Sequence, residues 1–179
     1  MVKQIRIFLA WGILVFASAS ISLVSAQGRP TAQEKQPLNV QLTSKAWDEF
    51  NRNNYSGAME AADKCIDEFL GAAEREQAKL VKARTPLPPT GAVSERDKKV
   101  IMASGLLNDV ATCFYIKARS AENRRSTDQT SEAEKRRLPG QAKEAYQACS
   151  RLTYGRTWDP QGWFWSPSEV CSDRLRKLK

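Results

Sequence analysis

The sequence predicts an all-α fold, and three observations carry the prediction. Apolar residues recur at steps of three and four through five separate segments. Asparagine, proline and capping signals fall at the ends of those segments. No segment alternates apolar and polar residues as a half-buried strand does.

Residues 1–26 read as a signal peptide. Lys3 and Arg6 precede an apolar run from Ile7 to Val24, and Val24-Ser25-Ala26 suits cleavage before Gln27. An uncleaved membrane anchor is the alternative, weakened by Ser18, Ser20 and Ser22. No cysteine follows the run to carry a lipid. Residues 27–37 are polar, contain Pro30 and read as a flexible lead. Residues 38–179 form the folded domain, in an exported protein that ends in the periplasm or outside the cell.

The first helix starts near Leu38, with Val40, Thr43, Trp47 and Phe50 on one face. Asn51-Arg52-Asn53-Asn54 ends it, because asparagine favours turns. The second runs from about Ser56 to Ala83 on a face of Ala58, Ala62, Cys65, Ile66, Phe69, Ala72 and Ala73. Three prolines between Thr85 and Gly91 stop it. A single third helix spans Glu95 to Ala121, with Val100, Ala103, Leu107, Val110, Phe114 and Ala118 in register. Ile101, Leu106, Ala111 and Tyr115 widen that stripe toward more than one neighbour.

Glu122 to Arg137 has one apolar residue, Ala133, and reads as a solvated loop or exposed helix extension. Pro139 suits the first turn of a fourth helix with Ala142, Ala145, Tyr146, Cys149 and Leu152 on its face. Ser166, Pro167 and Glu169 give the last helix its cap, first position and capping-box spacing. Val170, Cys171, Leu175 and Leu178 form its apolar face, and Arg174, Arg176, Lys177 and Lys179 oppose its dipole.

The chain carries 28 basic and 20 acidic residues, and loss of Lys3 and Arg6 with the leader lowers its net charge from +8 to +6. Such a balance suits contact with an anionic cell wall or membrane surface, although the charges are interspersed and serve solubility first. No phosphate-binding glycine loop or nucleic-acid motif is present, so no nucleic-acid partner is expected. Histidine is absent, which excludes Ser-His-Asp and Cys-His nucleophiles and histidine-bound metals. Cys65, Cys113, Cys149 and Cys171 form no C-x-x-C pair, and no metal or cofactor is expected. An even cysteine count in an exported chain points to disulfides, with three pairings open, against four buried thiols.

Asp48, Glu49, Glu60, Asp63, Asp67 and Glu68 fall on solvent-facing positions. No catalytic residue stands out, and a hydrolase working with carboxylates alone is the weakest functional class. Asn54-Tyr55-Ser56 matches a glycosylation sequon, a pattern common by chance. The candidate binding residues are Trp158, Asp159, Trp163, Phe164 and Trp165, gathered around Pro160 and Gly162. They form either a platform that stacks on sugar rings, with Asp159 as polar contact, or a plug over the open end of a core.

Ala58-xxx-Ala62-xx-Cys65 repeats as Ala142-xxx-Tyr146-xx-Cys149 at an offset of 84 residues. Ahead of the first copy, Ala46, Phe50 and Tyr55 stand in the order and spacing of a tetratricopeptide repeat, with Asn53-Asn54 at its turn. Ala111 and Tyr115 take the same roles ahead of the second copy, with about 19 more residues between its helices. Leu38 to Leu152 thus resembles two tetratricopeptide units. The WDPQGWFWSP segment resembles one found in exported bacterial proteins of this repeat type whose function is uncharacterised.

The resemblance implies antiparallel helical hairpins stacked into a short solenoid, with the C-terminal helix as a cap. In a stacked repeat, the second helix of each unit packs on the first helix of the next. The implied pairing is therefore Cys65–Cys113 and Cys149–Cys171, which clamps the aromatic turn and favours the plug. The expected function is an exported protein-binding or scaffolding module. The alternative is a glycan or cell-wall binding module that uses the aromatic turn.

Overall fold

The computed structural model describes residues 36–127 and 130–178. The expected signal peptide and all of the lead except its last two residues lie outside them. The elements are α1 (Leu38–Asn51), α2 (Tyr55–Lys82), α3 (Glu95–Ala103), α4 (Gly105–Arg125), α5 (Glu132–Arg151), β1 (Thr157–Asp159), β2 (Trp163–Trp165) and α6 (Pro167–Lys177). The described chain is predominantly helical. No single described helix is long and apolar enough to cross a membrane.

The α1–α2 corner follows from local chemistry. Asn53 turns the chain at φ 61°, a left-handed conformation that asparagine tolerates better than most residues. Asn54 then caps α2 by accepting the Gly57 N–H at 3.2 Å. Helix α4 packs against α1, α2 and α5 and touches α6. Leu107, Val110, Cys113, Ile116 and Ala118 are fully buried along it. Ala46 on α1, Ala58 and Ala62 on α2 and Ala142 on α5 are buried beside it. Their small side chains let the backbones approach closely.

Three sequence expectations are corrected. The single third helix is two helices, α3 and α4, which meet at 77°. The bend turns Ile101 into the core and leaves Val100 58% exposed, so Val100 and Ala103 do not extend the apolar stripe. Buried Asn108 stitches the bend by donating to the Ile101 carbonyl at 2.7 Å. Of the two alternatives for Glu122–Arg137, the helix extension holds for most of the stretch, since α4 runs to Arg125 and α5 starts at Glu132. Ser131 and Glu134 form a reciprocal capping box that starts α5 upstream, so Pro139 lies inside α5 rather than at its first turn. The extra residues of the second hairpin thus extend the ends of α4 and α5 that face its turn. The aromatic turn, finally, is an antiparallel β-hairpin pairing Thr157 with Trp165, Trp158 with Phe164 and Asp159 with Trp163. Gly162 takes its turn at φ 102°, a conformation suited to glycine.

The C-terminal crossing holds the proline-rich connection after α2. Tyr154 donates its hydroxyl to the Thr85 carbonyl at 2.6 Å. Arg156, 3% exposed, donates to the carbonyls of Pro88 at 2.8 Å, Thr153 at 2.9 Å and Gly155 at 2.7 Å. Burial pushes its pKa below the usual arginine value. Phe164 and Gly91 exchange both backbone hydrogen bonds, at 2.7 and 2.9 Å.

Cys149 on α5 is bonded to Cys171 on α6. Cys65 and Cys113 are buried but unbonded, so the second expected bridge is not formed here. Their sulfurs stand 3.7 and 3.3 Å from the Thr43 hydroxyl. The neighbouring Cys65 thiol, and then burial, push the Cys113 thiol well above its usual pKa.

Two outcomes follow for stability. A Cβ at Gly155 would stand 2.6 Å from the Ala111 Cβ, on the backbone of a packed helix that cannot yield. Gly155→Ala is expected to cost about 1–3 kcal/mol in urea unfolding, and a neutral result would refute the close approach. Replacing Cys149 and Cys171 with serine opens a closure of 22 residues, which is expected to cost about 3 kcal/mol. Thiol titration of the unreduced, denatured chain should count two free thiols, those of Cys65 and Cys113.

Candidate functional site

The hairpin register sorts the aromatic residues. Residues directly opposite in an antiparallel pair share a face, and neighbours along a strand alternate. Trp158 and Phe164 therefore share one face, and Asp159, Trp163 and Trp165 share the other. Phe164 is 1% exposed and bridges to Gly91, so of the five expected binding residues it is the buried one. Trp158 crosses the Phe164 ring at 4.9 Å and 64° and keeps 40% of its surface exposed.

The other hairpin face meets helices α1 and α4. Trp165 packs edge-on against Tyr115 at 5.0 Å, and Tyr115 lies 6.1 Å from Trp47. The series continues through Phe50 at 5.9 Å to Tyr55 at 5.7 Å. Helix spacing explains the α1 part, since residues three apart lie on neighbouring positions of one face. The series forms a continuous aromatic wall from the α1–α2 corner to the hairpin.

Between this wall and the hairpin tip lies a groove of about 740 Å³. Trp47, Tyr115, Trp158, Trp163 and Trp165 line it, with Pro160 and Val170. Four residues singled out in the sequence are thus brought together: Trp158, Asp159, Trp163 and Trp165. Trp47 and Tyr115, on apolar helix faces in the sequence, and Asp48, on a solvent-facing position, also line the groove. The signal for Trp47 was present, because the aromatics of α1 cluster on one face. Only the packing of α1 beside the hairpin gives that face a partner.

Asp48 and Asp159 are the charged residues in the lining. Asp159 accepts the Gln161 N–H at 2.8 Å through one oxygen, a local bond that sets the turn. Neither carboxylate has an ion-pair partner among the described residues. The Lys98 ammonium sits 5.1 Å from the Trp158 ring centroid, within cation–π range. A second groove, of about 620 Å³, lies over α2, α4 and α5. Ile66, Leu70 and Phe114 line it beside charges of both signs, Glu74, Lys117, Glu144 and Arg151. Among the described residues no group of three or more cysteine, aspartate or glutamate side chains is placed to hold a metal.

The most perturbed carboxyl lies away from the groove. Burial raises Asp109 to about 6, against the opposing hydrogen bond from Asn39, which donates at 2.6 Å. A raised folded-state pKa means that the unfolded chain releases this proton first. Its contribution to stability is complete below pH about 4 and is lost as pH rises through about 6. Asp109→Asn should stabilise the protein by about 2 kcal/mol at pH 7.5, with the difference vanishing near pH 4. Equal melting shifts at both pH values would contradict this.

No protein-family model, curated protein or solved structure matches the chain, so the reading of the site rests on its own geometry.

Proposed function

We propose that the protein is an exported binding module of tetratricopeptide-like architecture that engages a protein partner through the aromatic groove. The observation that carries the reading is the groove itself, an aromatic concavity built jointly by α1, α4 and the hairpin. Large aromatic surfaces of this kind anchor protein interfaces, because they bury much area for little side-chain entropy.

The architecture supports the same reading. Helices α1 and α2 pack together, as do α4 and α5, and α4 packs on both helices of the first pair. Helix α6 packs on α5, where a stacked array needs a cap. Ala46, Ala58 and Ala111 are fully buried where two such units would need small residues. An oxidising compartment suits the Cys149–Cys171 bond and agrees with export directed by residues 1–26.

A glycan or cell-wall ligand is the second reading, favoured by the exposed rings of Trp158 and Trp163, at 40% and 39%. The two readings separate by experiment. Envelope proteins retained by the immobilised chain should be lost with Trp158→Ala/Trp163→Ala, whose side chains are exposed enough to leave the fold intact. Soluble wall fragments should leave tryptophan fluorescence unchanged. Saturable quenching by those fragments, without retained protein, would replace the first reading with the second.

A further inference from the structure

We infer that the groove recognises a cation, a lysine or arginine side chain presented by a peptide segment of the partner. This narrows the protein-binding reading above and rests on it.

The first support is charge. The chain carries 28 basic and 20 acidic residues and a net charge of +8. The charged lining of the groove is nevertheless Asp48 and Asp159, with no basic residue. The acidic lining is thus the reverse of the chain's own balance. The two aspartates come from separate elements, α1 and β1, and line one groove only in the folded chain. Asp159 commits one oxygen to the Gln161 N–H, and its other oxygen has no hydrogen bond among the described residues. Asp48 has neither a side-chain hydrogen bond nor an ion pair among them.

The second support is the wall. Indole faces carry negative quadrupole density and attract cations more strongly than other aromatic side chains. One ring of this groove already shows that geometry from its own chain, with the Lys98 ammonium 5.1 Å from the Trp158 centroid. Trp47, Trp163 and Trp165 offer further indole surface. A lysine or arginine fits such a wall in two parts. Its methylene stem packs on the rings while its head reaches the carboxylates.

The probes are a blocked Gly-Lys-Lys-Gly peptide, the same peptide acetylated on both lysines, and neutral chitotriose. Tryptophan fluorescence of the full chain reports binding. The lysine peptide should bind about tenfold tighter than its acetylated form, from one cation–π contact and one ion pair together. Asp48→Asn/Asp159→Asn should erase that preference while leaving the circular dichroism spectrum unchanged. Equal affinity for the two peptides, or an unchanged preference in the double variant, overturns the proposal. So does tighter binding of chitotriose. If an envelope protein is still lost with the tryptophan variants but ignores the aspartate changes, the protein-binding reading stands and the cation does not. If chitotriose binds and no protein is retained, both fall.

Discussion

A buried amide decides where the helical stretch after Ser94 bends, and much of the molecule is arranged around that decision. Asn108 donates to the Ile101 carbonyl at 2.7 Å, which also accepts the Ser104 N–H at 3.2 Å where α3 ends. Its own carbonyl oxygen accepts the Arg156 N–H at 2.8 Å. One side chain therefore couples the bend to the C-terminal crossing. A buried polar group of this kind is costly if either bond is lost, so the two features are held together. With the bend in place, α4 packs among α1, α2 and α5, while α3 buries Ile101.

The crossing then positions the site. Gly155 passes against Ala111 at a distance that no side chain tolerates, which brings Arg156 to the carbonyls of the proline-rich connection. Thr157 meets Thr112 at 2.6 Å and starts the hairpin. Burying Phe164 contributes about 2–3 kcal/mol and fixes which hairpin face is inward. Trp165 and Trp163 fall on the opposite face through the two-residue period of the strand, where Trp165 packs on Tyr115 of α4. The Cys149–Cys171 bond fastens the helix on the far side of the hairpin.

The tetratricopeptide-like reading and the groove reading are linked through α1 and α4. Both helices are the first of a pair, and both give an aromatic residue, Trp47 and Tyr115, to the wall. Lys117 on α4 meets Asp63 on α2 at 2.5 Å. Glu122 on α4 accepts the Tyr146 hydroxyl of α5 at 2.7 Å and lies 4.0 Å from Arg174 of α6. These polar ties fix the rotation of α4 about its axis, and with it the direction in which Tyr115 faces.

The sequence by itself determined the all-helical core and the limits of α1, α2 and α6, because their signals are local. Asn53 and Asn54 turn and cap within four residues, and Ser166 with Pro167 starts α6 without distant help. The break at Ser104 was hidden because apolar residues continue in helical register across it, and the amide that stabilises the bend lies seven residues away from its acceptor. Pro139 was misplaced because the true start of α5, Ser131 with Glu134, sits in a charged stretch that has no apolar period to announce a helix. Strands of three residues are too short for alternation to show. Trp158, Asp159, Trp163 and Trp165 were legible as a cluster, because they are adjacent in the chain. Trp47, Asp48 and Tyr115 were not, because a helical face becomes part of a site only when another element stands opposite it. That juxtaposition joins α1, α4 and a hairpin far apart in sequence, and only tertiary packing decides it.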